Sequence, residues 1–157
     1  VGFCSGNAEM IKALATIKGY YDYGMFAPIQ IASVIAMRQC KSTPEAQSAM
    51  YQERRDEVCR GLDRIGWTYE KPLASMFVWA KINPAHYKNG EDSIEFCLRM
   101  MDEAAVALSP GRAFGENGEG FVRIALVENE QRLRQAMRNL ERALVPKTAK
   151  KKKPTAT

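Results

Sequence analysis

Residues 106 to 126 read V-A-L-S-P-G-R-A-F-G-E-N-G-E-G-F-V-R-I-A-L. Two β-type runs, Val106 to Ser109 and Phe121 to Leu126, flank a loop rich in Pro and Gly. Gly111, Gly115, Gly118 and Gly120 allow tight turns or close backbone approach, and Pro110 stiffens the entry. In the second run the side-chain period of two sets Val122, Ile124 and Leu126 on one face and directs Arg123 to the other. An arginine held on a strand suits a carboxylate, because its planar fork donates two parallel hydrogen bonds. An ordinary solvated or salt-bridged arginine carries the same pattern, so spacing alone leaves both readings open.

On the C-terminal side, Asn129 is placed to cap a helix to about Leu144 with Leu133, Met137, Leu140 and Leu144 as its apolar stripe. On the N-terminal side, Ser93 is expected to cap a helix to about Ala105, with Ile94, Cys97, Leu98 and Met101 turned inward. Further back, Trp67 to Tyr69 and Met76 to Lys81 read as strands. In the second, Phe77 and Trp79 share one face and Met76 and Val78 the other, a pattern that fits packing in a core. His86, in the polar loop from Asn83 to Asp92, has no serine or cysteine motif beside it and is expected at the surface.

Pro28 and Pro44 fit the first turns of helices running to about Gln39 and Ile65. On the longer one Met50, Arg54, Val58, Gly61 and Leu62 line one side, and Glu53, Arg55, Asp56 and Glu57 are expected on a solvated face. Val1 to Cys4 reads as the end of a strand, Asn7 as the cap of a helix from Ala8 to Lys18, and Gly19 to Ala27 as an aromatic-rich loop. Strands and helices in this order give an α+β layer, helices covering one face of a small antiparallel or mixed sheet.

At 157 residues with 46% hydrophobic content the chain can bury a sizeable core. No run approaches the roughly 18 apolar residues that span a bilayer, no signal peptide is evident, and the cytoplasm is the default location. Cys4, Cys40, Cys59 and Cys97 are widely spaced with only His86 to join them, so a zinc site is not expected. Cys59 and Cys97 read as small buried hydrophobes. The net charge of +5 belongs to the tail: Lys147, Lys150, Lys151, Lys152 and Lys153 supply all of it, and residues 1–146 are formally neutral. Residues 146–157 are expected to be disordered, and a tail without aromatic residues or a fold motif argues against nucleic acid as partner.

The segment S-P-G-R-A-F-G-E-N-G-E-G-F-V-R-I-A-L resembles the C-terminal signature of class I/II, fold type I aminotransferases, which depend on pyridoxal phosphate. The resemblance extends from V-G-F-C-S-G-N through Y-Y-D-Y-G-M-F-A-P-I-Q and A-S-M-F-V-W-A to the helix after E-N-E. It is greatest for the alanine transaminase and diaminopimelate aminotransferase-like branch. It implies that residues 1–43 are the end of a large cofactor-binding domain with its connecting helix, and 44–145 a small C-terminal domain. It implies Arg123 as the group that binds the substrate's α-carboxylate, a homodimer, and Tyr23 on a loop reaching across the subunit boundary. The substrates it implies are an amino acid and a 2-oxo acid, of alanine and glutamate type.

In that family a lysine in an S-K-like segment holds the cofactor as a Schiff base, followed by G-W-R and then x-G-F, whereas this chain starts at V-G-F. None of its lysines sits in such a context, so no residue here is assigned a catalytic role. The chain alone is expected to be inactive, since the cofactor is the electron sink and must be anchored. The alternative from another class is a non-catalytic α+β interaction module with a basic tail.

Overall fold

In a computed structural model, which describes residues 1–145, the elements are α1 (Ala8–Asp22), α2 (Ala27–Gln39), α3 (Thr43–Ile65), β1 (Thr68–Tyr69), β2 (Phe77–Lys81), α4 (Ser93–Ala104), β3 (Ser109–Pro110), β4 (Phe121–Ala125) and α5 (Glu130–Leu144). The Lys-rich tail lies outside the described residues. The chain divides into two units, Val1–Gln47 and Ser48–Thr157.

In the second unit the strands pair antiparallel in the order β1-β2-β4-β3. Val78 stands opposite Ile124, Trp79 opposite Arg123 and Ala80 opposite Val122. Alternation then separates the two faces. Val78, Ala80, Val122 and Ile124 are buried and join Val58 and Leu62 of α3, Phe96 and Met100 of α4, and Leu133, Met137 and Leu140 of α5 in one core. Burying each large side chain of this kind contributes about 1.5–3 kcal/mol. The architecture is therefore the expected α+β layer, wholly antiparallel. Gly61 lets α3 and α5 close on each other: a Cβ there would lie 2.6 Å from Met137 Cβ.

The first unit contains no buried residue. Asn7 caps α1 as expected, its side chain accepting from the backbone N–H groups of Glu9 and Met10. The helix passes Lys18 and ends only at Asp22, taking Tyr20 and Tyr21 out of the expected loop. An ion pair from Lys18 to Asp22 spans the last turn at 2.8 Å, and the chain leaves the helix through Tyr23 in the left-handed region, φ 54°. Pro28 opens α2, as expected. Val1 to Cys4 forms no strand, since those four residues have no neighbouring strand to pair with among the described residues.

Three further expectations are corrected. The run Val106 to Ser109 is a strand only from Ser109 to Pro110, because Ala105 ends α4 in a left-handed turn, φ 52°, and Val106 still donates back to Met100. The cap of α4 is Asp92, in a reciprocal pair with Glu95, and Ser93 is the first helical residue. That register buries Phe96, Cys97, Met100 and Ala104 and leaves Ile94, Leu98 and Met101 exposed. Glu57 is buried rather than solvated: Arg134 Nε and Nη2 donate to its carboxylate at 2.9 and 3.0 Å, and Arg60 adds a third bond.

Candidate functional site

The sheet face turned away from the helices carries Phe77, Trp79 and Lys81 from β2 and Phe121 and Arg123 from β4. Phe77 and Trp79 are thus not part of the core, because Val78 and Ala80 take that side of the strand. Trp79 stacks on Phe121 with centroids 5.8 Å apart and meets the edge of Phe114 at 5.6 Å. The Arg123 guanidinium lies over two rings, with Cζ 4.1 Å from the centroid of Phe77 and 4.3 Å from that of Phe114. These are close cation–π distances.

Arg123 points away from the core, as the alternation of Val122 and Ile124 requires, but it is half-buried among aromatic rings instead of standing free. Its Nε is buried and finds no hydrogen-bond partner among the described residues. The other half-buried arginines contrast with it. Arg54 pairs with Glu130 at 3.1 Å, Arg55 with Asp56 at 2.9 Å and Arg99 with Glu91 at 2.6 Å. Leaving a partly desolvated cation without an anion is costly. Arg123 is the half-buried arginine among the described residues that carries this cost.

Phe114 reaches the guanidinium from the glycine-rich loop, at the end of a 3-10 turn, Gly111–Phe114. The next residue, Gly115, has φ +120°, which a side chain would strain. Gly111 and Gly118 pack back to back, so that a Cβ on either would run into the carbonyl oxygen of the other. Glu119 ties the loop to α4: its carboxylate accepts from Ser93 N and Oγ at 2.8 and 2.9 Å, and from Gly120 N at 3.0 Å. Residue order hinted at none of this, since Ser93 and Glu119 are 26 positions apart. The A-F-G triplet ending at Gly115 was the available signal for Phe114.

Tyr23, in the first unit, is 93% exposed as the C-cap of α1. His86 accepts a hydrogen bond from Trp67 Nε1 at 2.8 Å, and burial holds its pKa below the ordinary value, which marks a packing role. Burial pushes the Cys97 thiol up to about 12 and raises Cys59 in the same sense, so both behave as the inert hydrophobes expected.

A site for pyridoxal phosphate requires a sheltered lysine amine, and every described lysine is exposed. Lys18, Lys71 and Lys88 are further held by Asp22, Asp56 and Glu103. The described residues therefore do not by themselves fit that cofactor. What they offer is a half-buried guanidinium held between two rings, with no anionic partner among the described residues.

Known proteins with the same sequence pattern share the fold. The family described as aminotransferase class I and II matches residues 1–140. The glutamate-pyruvate aminotransferase AlaC of Escherichia coli (strain K12) is 43% identical over 141 residues, covering 90% of this chain and 34% of that protein. LL-diaminopimelate aminotransferase 2 of Nostoc sp. is 35% identical over 143 residues, covering 91% of this chain and 35% of its own length. The crystal structure of an aromatic aminotransferase from Pyrococcus horikoshii superposes with a TM-score of 0.79 at 29% identity, covering 89% of this chain and 37% of that one. The chain thus spans about a third of the length of the curated relatives it matches.

Proposed function

This chain belongs to the aminotransferase class I and II family, and from that premise we propose that Arg123 binds the α-carboxylate in a pyridoxal phosphate-dependent aminotransferase. The enzyme moves an amino group between an amino acid and a 2-oxo acid, and substrates of alanine and glutamate type follow from the similarity to AlaC. The observation that carries the reading is the half-buried Arg123 guanidinium, held by rings and lacking, among the described residues, the carboxylate that its half-buried counterparts have. An α-carboxylate is common to amino acid and 2-oxo acid, so one fork serves both halves of the reaction. Bound there, the substrate is fixed at one end and its reacting carbon is oriented.

The cofactor supplies the electron sink, and no described lysine is sheltered enough to anchor it. The chain alone is accordingly inactive. Assembly as a cytoplasmic homodimer, with Tyr23 contributing at the subunit boundary, completes the proposal and accords with the 93% exposure of that ring.

The test is Arg123→Lys in the complete enzyme. Lysine keeps the charge but loses the fork. The expected result is a KM for amino acid and 2-oxo acid raised about tenfold or more, with the cofactor's absorption spectrum unchanged. Unaltered kinetics would return Arg123 to the status of an ordinary strand charge. For the chain alone, titration with pyridoxal phosphate should give no stoichiometric lysine-bound absorption band; a band abolished by replacing one particular lysine would overturn the inactivity.

A further inference from the structure

The aromatic groups around Arg123 differ in how they are held. Phe77 is fixed in β2, paired through its backbone with Ala125 of β4. Phe114 is 51% exposed and is carried by a loop, yet it lies almost as close to the guanidinium as Phe77 does. The loop is held on both sides, by the Gly111–Gly118 contact and by the Glu119 carboxylate on Ser93. A half-exposed phenylalanine so restrained contributes little to the core, and its ring instead closes, opposite Phe77, on a cation with no anionic partner among the described residues.

We infer that Phe114, with Phe77 behind it, is a positioning residue that sets the orientation of the Arg123 fork before substrate arrives. The inference rests on the carboxylate-clamp reading and deepens it. A free arginine side chain has several rotatable bonds and loses their entropy when it grips a ligand. Two rings about 4 Å from Cζ restrict those rotations in advance and exclude water from Nε, which strengthens the interaction with an incoming carboxylate. A planar guanidinium can lie flat on both rings and still present its fork to a carboxylate, whereas a lysine ammonium could sit over the rings but has no fork to present.

The experiment is a double-mutant cycle in the complete enzyme, with Phe114→Ala and Phe114→Tyr each made alone and Phe114→Ala also in the Arg123→Lys background. Phe114→Ala should raise KM for amino acid and 2-oxo acid about tenfold, with a smaller change in kcat and an unchanged cofactor spectrum. Phe114→Tyr, which keeps the ring, should restore KM to near the parent value. In the Arg123→Lys background the same truncation should add nothing further. A second readout needs no cofactor: in the chain itself the Arg123 Nε–H resonance should be resolved and slow to exchange with water, and Phe114→Ala should broaden it while other amide signals stay in place.

If the two substitutions add fully, Phe114 touches substrate directly and the positioning role is wrong. A normal KM in Phe114→Ala, alongside a raised KM in Arg123→Lys, defeats the positioning role and leaves the clamp intact. A normal KM in Arg123→Lys defeats the clamp itself and this inference with it.

Discussion

Glu57 and Arg123 are charges that the fold treats in opposite ways. Arg134, then Arg60, hold the Glu57 carboxyl down from its ordinary 4.5 to about 2 against the opposing effect of burial. The unfolded chain binds a proton at Glu57 more readily than the folded one, so this contribution is complete above pH 4.5 and is lost as pH falls toward about 2. Acid unfolding followed by circular dichroism should show Glu57→Gln less stable than the parent at pH 7, with the difference shrinking between pH 4.5 and about 2; a constant difference would argue against the pairing. Arg123 has no such partner among the described residues, and on that contrast the carboxylate proposal rests. Its direction was legible because Val122 and Ile124 flank it at strand spacing. Glu57 was not legible: it sits among Glu53, Arg55 and Asp56, and its chief partner is 77 residues away. Likewise Phe77 and Trp79 were correctly placed on a common face, but no rule of alternation says which face meets the helices when both are apolar.

Elements here are positioned by small residues as much as by large ones. Gly61 sits on α3 where Met137 of α5 crosses, with Met137 Cβ 2.6 Å from the place a Cβ would take. Gly61→Ala gains about 1 kcal/mol of helix propensity but forces the helices apart, and overpacking of this kind costs about 1–3 kcal/mol. The expected outcome is net destabilisation in urea unfolding, and a more stable variant would mean that α5 can slide freely. Gly111→Ala should act more locally. The added methyl meets the Gly118 carbonyl oxygen, which moves the loop that carries Phe114. Because the clashing atoms, the Gly118 and Phe121 carbonyl oxygens, are both backbone, the melting temperature should fall as well; the loop-specific signature is a broadened Arg123 Nε–H resonance in the folded variant, and an unchanged resonance would detach the loop from the guanidinium. The helix α5 was fully legible, Leu133, Met137, Leu140 and Leu144 being its buried residues. In α4 two apolar stripes compete, and Asp92 rather than Ser93 caps the helix, so of the residues periodicity turned inward Cys97 is buried while Ile94, Leu98 and Met101 are exposed.

At the scale of the molecule, burial is distributed very unevenly. Among the described residues every buried hydrophobic one lies at or beyond Val58, whereas Val1–Gln47 contains none. Within that first unit α2 exposes Ile29, Ile31, Val34, Ile35 and Met37, an apolar surface on more than one side of the helix. The helices α1 and α2 are 15 and 13 residues long, near the roughly 12–15 residues below which an isolated helix is marginal in water. The second unit has the sheet, three packed helices or their ends, and the ion pairs of Arg54, Arg99 and Arg134. A fragment from Thr43 to Thr157, which keeps the start of α3, should therefore melt within about 4 °C of the whole chain, a shift corresponding to less than about 1 kcal/mol for a domain near 100 residues. A peptide of residues 1–42 should show mostly unordered circular dichroism in water and gain helix only when its apolar surface is covered. Should removal of residues 1–42 lower the melting temperature by more than about 8 °C, part of the stability would have to come from that unit.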